Sequence, residues 1–261
     1  MARNLGNFDG QVVLVVGAAS GIGRAVARLI SSRGGTVVIS DLDKTGLASL
    51  KEELSLNDNQ VKDVNLGDKS SVSNLIVSLI SDHSQIDALI NTAGIVGPTN
   101  TKLEDVDWSA FEKTLSINLF GAIWLTQAVV PFMKGRKYGR IAHVASIAGK
   151  EGNPGMHAYN TSKAGLIGFV KGASKEIAAD GITINSLAPA VIRTPMNADT
   201  NEETLKYMIG RIPMGRVGEP EEVAELLAFM ASSACSFTTG FTLMHQEVGQ
   251  LTDNSKSDLT N

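Results

Sequence analysis

Short, unbroken apolar runs alternate along this chain with longer stretches whose apolar positions return at helical spacing. The first run, 12–16, reads Val-Val-Leu-Val-Val. A run apolar at every position fits a strand covered on both faces, as in a parallel sheet. A glycine-rich turn follows over 17–23. Ile22, Val26, Leu29 and Ile30 then mark one face of a helix that Gly34-Gly35 ends. A second apolar run, 36–40, stops at Asp41. Strand, turn, helix and strand make a βαβ unit with a right-handed crossover. The same alternation predicts strands at 60–64, 86–90, 139–144, 182–187 and 241–244. It predicts helices at 44–54, 70–80, 156–179 and 220–230, the last with Pro220 in its first turn. The stretch 107–133 reads as one long apolar helix or two joined ones, ended by Pro131 and Gly135; 195–214 reads as a loop with short helical pieces. This order predicts an α/β fold: a doubly wound Rossmann-type parallel sheet of about seven strands with helices on both faces. No linker or repeat interrupts it, so one domain over 1–252 is expected, followed by a polar, frayed tail at 253–261.

Composition narrows the class. The chain has 261 residues, 43% apolar and 19% charged, with a net charge of −4 and no basic run, which argues against a nucleic-acid partner. Cys235 is the single cysteine, so an intrachain disulfide is excluded. His83, His143, His157 and His245 are scattered without ligand spacing, and no metal site is expected. The N-terminal residues lack an apolar signal core and no apolar run reads as long enough to cross a bilayer; a cytoplasmic setting is expected.

The turn after the first strand carries the first chemistry. It reads Gly17-Ala18-Ala19-Ser20-Gly21-Ile22-Gly23. Gly17 permits the tight exit from the strand, Gly21 lets backbone approach a pyrophosphate, and Gly23 lets the helix pack closely. The helix N-terminus then offers free N–H groups to phosphate. Asp41, at the end of the second strand, is placed to accept from an adenosine ribose and to repel a 2′-phosphate. No Lys or Arg lies among Ala18, Ala19, Ser20 and Leu42, and Arg24 is expected to face away, so NAD is favoured over NADP.

A second signal is Tyr159-x-x-x-Lys163, two side chains on one helical face. A free phenol has a pKa of about 10, and a cation at ~4 Å in a partly buried site favours the phenolate by roughly 4 kcal/mol, or about three pKa units. The pair is thus a candidate acid/base catalyst.

Taken together, Gly17-x-x-x-Gly21-Ile22-Gly23, Asp63-Val64, Asn91-Thr92-Ala93-Gly94, Asn118, Ser146, Tyr159-x-x-x-Lys163 and the segment Pro189 to Thr194 resemble the short-chain dehydrogenase/reductase family, over about residues 8–240. The resemblance implies that Tyr159 donates and accepts the proton. Lys163 would lower its pKa and bond the nicotinamide ribose, Ser146 would bind the substrate oxygen, and Asn118 would hold a water that relays protons. It further implies that Asp63 and Val64 meet adenine, that Asn91, Ala93 and Gly94 line the adenosine side, that Ile192 and Thr194 hold the carboxamide, and that Pro189 also belongs to the cofactor site. Ser20 and Ile22 belong to the phosphate turn. The family pattern is altered at Thr92, where Asn is commoner, at Pro189-Ala190, where Pro-Gly is usual, and at the C-terminal end, Thr242 to Gly249. A homotetramer or homodimer is implied. The implied activity interconverts a secondary alcohol and a ketone. Gly149 to Pro154 and Ala188 to Pro195 look similar to a branch containing sugar-acid dehydrogenases and 3-oxoacyl-carrier-protein reductases. Lys150 and Arg193 are candidates to meet a carboxylate, and His157 to line the substrate pocket. Two other readings stay open: a non-redox enzyme on this scaffold, and a dinucleotide-binding sensor without turnover.

Overall fold

The computed structural model describes residues 6–198 and 202–245. Seven parallel strands form one sheet: β1 (Val12–Val16), β2 (Thr36–Asp41), β3 (Val61–Asp63), β4 (Ala88–Asn91), β5 (Gly139–Val144), β6 (Ile182–Pro189) and β7 (Thr242–His245). They lie in the order β3-β2-β1-β4-β5-β6-β7. Strand order reverses between β1 and β4, and a crevice at such a switch point is where open α/β sheets bind ligands.

Helices cover both faces: α1 (Gly21–Ser32), α2 (Lys44–Leu54), α3 (Lys69–His83), α4 (Trp108–Leu115), α5 (Gly121–Arg136), α6 (Ala148–Glu151), α7 (His157–Ile177), α8 (Glu202–Gly210) and α9 (Pro220–Ala231). The unbroken apolar runs have a simple cause. Alternate residues of β1 enter different cores: Val12, Leu14 and Val16 pack with α3, α5 and α7, whereas Val13 and Val15 pack with α1 and α9. Both faces are buried, so neither set can be polar.

Most element ends shift by one to three residues, and three local features differ in kind from the predicted ones. Pro131 lies inside α5, which continues to Arg136. Proline removes a bond to the carbonyl four residues earlier. Here that residue, Gln127, is exposed, so water can serve its carbonyl. The helix ends instead at Lys137, in the left-handed conformation at φ 52°. Between α4 and α5 the chain winds through a π-turn, Ser116–Phe120, which carries Asn118. The short helix α6 sits in what reads as a loop from sequence.

Through that π-turn, α4 and α5 run on as Trp108–Arg136, 29 residues that contain an 18-residue window with a mean hydropathy of 1.5. By length and composition this helix could cross a membrane, which corrects the expectation from sequence. Its apolar face is built into the sheet's flank, however, with Ala122, Leu125, Val129 and Met133 at 0% exposure. The predicted tail 253–261 and the altered end beyond His245 lie outside the described residues.

Candidate active site

The C-terminal ends of the strands gather nearly every residue singled out above. The glycine turn is a cradle that other residues could not form. Gly17 stands at φ +84°, and a Cβ there would come 2.6 Å from the backbone nitrogen of Ala93. A Cβ on Gly23 would stand 2.0 Å from the Gly17 carbonyl oxygen. Helix α1 therefore packs directly on the turn. Thr92, the altered motif position, ties the two loops together: its hydroxyl donates to the Val16 carbonyl at 2.9 Å. At the head of α1, Ser20 makes no side-chain capping bond, which leaves its hydroxyl and the first-turn N–H groups for a phosphate. Ile22 anchors the turn from beneath, packed against the core on the α1 side. Thr194 closes over the turn, its methyl carbon 3.1 Å from where a Gly21 Cβ would be. This cradle fits a dinucleotide pyrophosphate.

Asp41 is fixed at the edge of the cradle. Its carboxylate accepts from Ala19 N–H and from Asp43 N–H, each at 3.0 Å. Arg24 does not face away, as expected from sequence. It reaches back, donating to the Ala19 carbonyl at 3.3 Å and pairing with Glu53 at 2.6 Å. The Arg28 and Arg24 guanidiniums together hold Glu53 down to about 2, so Arg24 is drawn toward α2 and shares its one carboxylate with Arg28. Asp63 is exposed at the end of β3 and pairs with Lys44 at 3.1 Å, whose ammonium holds its carboxyl below the usual range.

Some expected cofactor residues act from behind the site. The Asn91 side chain is buried; it accepts from Ala93 N–H at 3.2 Å and faces His143 Nδ1 at 3.4 Å. Val64 is part of the core, and its N–H donates to the Asp41 carbonyl at 3.0 Å. Pro189 accepts from Ile147 N–H at 3.0 Å, and Ile192 is buried beside Gly218. Ala93 and Gly94 remain half-buried at the crevice.

The Ser146, Tyr159 and Lys163 side chains converge beyond β5. The Ser146 hydroxyl bonds the Tyr159 phenol and accepts from Ala148 N–H at 3.1 Å, which starts α6. Tyr159 keeps part of its surface open, yet its surroundings are dense, and burial raises its pKa; the Ser146 bond acts the other way. This corrects the expectation that Lys163 lowers it. The Lys163 ammonium lies 5.7 Å from the Tyr159 ring centre and donates to the Val144 carbonyl at 2.8 Å. Burial pulls Lys163 down to about 8, so it stays largely cationic at neutral pH. Gly94 borders it: a Cβ there would lie 3.4 Å from Lys163 Nζ and 3.1 Å from Asn118 Oδ1.

Asn118 does something its sequence position does not announce. Its amide accepts from Ile95 N–H and donates to the Ile95 carbonyl, both at 2.8 Å, and donates to Ser162 Oγ at 3.1 Å. It clamps the loop after β4. His143 was also missed as a supporting residue. Its signal was visible, a polar residue inside the apolar run of β5.

A family model described as enoyl-(acyl carrier protein) reductase matches residues 17–247. A 2-dehydro-3-deoxy-L-rhamnonate dehydrogenase (NAD(+)) of Sphingomonas sp. (strain SKA58) is 40% identical over 237 residues, covering 91% of this chain and 94% of that one. A 3-oxoacyl-(acyl-carrier-protein) reductase of Thermotoga maritima is 38% identical over 236 residues, covering 89% and 95%. Among solved structures, levodione reductase superposes with a TM-score of 0.86 at 26% identity, covering 92% of this chain and 97% of that one. The protein called gox2181 gives the same TM-score, 0.86, at 32% identity, covering 92% and 95%. The chain belongs to the short-chain dehydrogenase/reductase family. It is an oxidoreductase acting between CH–OH and carbonyl groups.

Proposed function

We propose that this protein is an NAD-dependent dehydrogenase of a secondary alcohol, with Tyr159 as the acid/base group. The observation that carries the reading is the meeting of the Ser146 hydroxyl, the Tyr159 phenol and the Lys163 ammonium beside the glycine cradle. When bound, the nicotinamide dinucleotide supplies the two-electron hydride acceptor or donor. Gly17, Ser20, Gly21, Ile22 and Gly23 hold its pyrophosphate, Asp41 its adenosine ribose, and Asp63 its adenine edge. Lys163 and Thr194 serve the nicotinamide end. Ser146 donates to the substrate oxygen and steadies charge that develops there. In oxidation Tyr159 passes its own proton to the relay and takes the hydroxyl proton in its place; in reduction it gives its proton to the carbonyl oxygen and regains one from the relay. Lys163 keeps positive charge near that phenol. The relay to solvent runs past Asn118, whose two amide hydrogens are already engaged, so an oxygen of Asn118 is the relay partner.

NAD preference rests on Asp41, a carboxylate that two backbone N–H groups fix at the ribose edge. Asp41→Ala is expected to reduce the NAD-over-NADP ratio of kcat/KM by about tenfold, the effect of removing one repulsive charge. An unchanged ratio would take Asp41 out of the ribose site.

The substrate we favour is a hydroxy acid of the sugar-acid type. Arg193 is paired with Glu219 at 3.0 Å, whereas Lys150, on α6 just beyond Ser146, is in no ion pair among the described residues and donates only to the Met244 sulfur. Lys150 is thus the better partner for a carboxylate. The name of the Sphingomonas relative supports this class; that of the Thermotoga relative supports a 3-hydroxyacyl substrate instead. An NAD-reduction screen over sugar acids, 3-hydroxy acids, cyclic alcohols and steroids tests both. Turnover of sugar acids with KM raised in Lys150→Ala is the expected result. Tight NADH binding with no turnover of any alcohol would favour the sensor reading.

The enzyme is proposed to work in the cytoplasm as a homodimer or homotetramer. Trp108 on α4, Phe120 in the π-turn and Phe132 on α5 are exposed by 67%, 43% and 39%, and this supports burial against a second copy.

A further inference from the structure

The loop that follows β4, 95–102, is fastened at both ends. Asn118 brackets its first residue, Ile95, by two bonds of 2.8 Å. At its far end the loop meets the segment that leads into α7. Thr101 N–H donates to the Gly155 carbonyl at 3.2 Å, and His157 Nε2 lies 3.2 Å from the Thr101 carbonyl oxygen. A carbonyl can only accept, so His157 Nε2 carries the proton and donates it. Both backbone groups of Thr101 are thereby engaged.

The approach is close enough to require glycine. Gly155 stands at φ +73°, and a Cβ there would come 2.9 Å from Asn100 Cα and 3.0 Å from Asn100 N. Only about 10 Å³ of space remains beneath the clasp, between Pro98, Thr101, Phe111, Gly155 and Ala158. The α7 side is itself rigid. Asn153 N–H donates to Asn160 Oδ1 at 3.1 Å, and Asn160 Nδ2 returns a bond to the Asn153 carbonyl at 2.8 Å. His157 thus projects from the same helical turn that carries Tyr159.

We propose that His157 is a positioning residue: it fastens the 95–102 loop to α7 and so sets the wall of the substrate pocket beside Tyr159. This role rests on the oxidoreductase reading of Tyr159 and Ser146. The loop starts beside Lys163 and Asn118 at Gly94, and it ends at a clasp on the helix turn that bears the phenol. A substrate reacting at Tyr159 presents the rest of its bulk to that wall. Small errors in placement there carry large kinetic costs. The glycine cradle and Asp41 lie on the other side of β4, and the clasp residues Thr101, Gly155 and His157 are none of those assigned to the dinucleotide.

His157→Ala and His157→Gln test this, because the Gln amide keeps a donor. Hydrogen–deuterium exchange of the ligand-free protein reads the clasp, fluorescence titration reads NADH binding, and KM is measured with the alcohol of the screen that the wild type oxidises fastest. In His157→Ala, exchange at Thr101 is expected to accelerate about tenfold and KM to rise about tenfold, more than kcat falls. NADH affinity should stay within about twofold, and His157→Gln should recover most of the KM. Unchanged protection of Thr101 overturns the proposal. So does a KM rise that NADH affinity follows and His157→Gln fails to recover, since that marks general loosening. If the wild type oxidises no alcohol at all, the oxidoreductase reading fails and the positioning role fails with it, while the exchange rates still report whether the clasp exists.

Discussion

Replacing Tyr159 by Phe is expected to lower kcat by about three orders of magnitude, within the range of lost general acid/base catalysis. The substitution removes one oxygen and keeps the ring, so the packing around α7 persists. NADH affinity should change by no more than about twofold, since the cradle at Gly17, Gly21 and Gly23 does not touch the phenol. The structure adds a reason for the size of the effect. Burial keeps the Tyr159 phenol protonated in the ligand-free site, and only the Ser146 hydroxyl works against that. No other titratable side chain bonds Ser146 among the described residues, so nothing can take over the proton. Steady-state kinetics with the best alcohol of the screen, beside an NADH titration, checks both halves. Turnover comparable with the wild type would remove Tyr159 from the mechanism.

His143 should govern acid stability. It is fully buried on β5, and burial, followed by the nearby Lys163 charge, lowers its pKa from 6.5 to about 3. The bonding pattern explains why the ring stays neutral. Asn91 Oδ1 accepts from Ala93 N–H, so the Asn91 amide nitrogen faces His143 Nδ1 and donates to it. The proton then sits on His143 Nε2, 3.0 Å from the Thr126 hydroxyl, which itself donates to the Ala122 carbonyl at 2.9 Å. A second proton at Nδ1 would point at an N–H donor.

The sign follows from linkage. Above pH 6.5 the imidazole is neutral in both folded and unfolded chains and costs nothing. Below it the unfolded chain takes up the proton first, so stability falls with falling pH until about pH 3, where the folded form is protonated too. The whole loss is on the order of 5 kcal/mol, of which about 2 kcal/mol is felt by pH 5. His143→Asn should be less stable than the wild type at pH 8, because it leaves a small void. The gap should close as the pH is lowered to 5. Urea unfolding at the two pH values measures it, and a gap of constant size would mean that His143 does not remain neutral when folded.

These two residues also mark how much was legible beforehand. Tyr159 and Lys163 could be found by spacing, because four residues along a helix always bring side chains to one face. What the ammonium does there could not. Its bond to the Val144 carbonyl depends on how α7 lies on β5, and the predicted lowering of the phenol gave way to a rise caused by burial. His143 was visible only as an odd polar residue in an apolar strand. Its partners Asn91 and Thr126 come from β4 and α5, which meet only when the sheet is assembled. Pro131 was misread for a similar reason: whether proline ends a helix depends on whether water can reach the freed carbonyl.

By itself, the sequence determined the alternation of strands and helices, the parallel sheet, the glycine cradle and the list of reactive side chains, since these depend on local periodicity and on residue types with few substitutes. Only the tertiary structure decided which side chains face the crevice and which support it from behind. Asn118 and His157 are the clearest cases. Each bonds a backbone group on a loop distant in sequence, Ile95 and Thr101, and such bonds exist only once the sheet has brought the ends of β4 and β5 side by side.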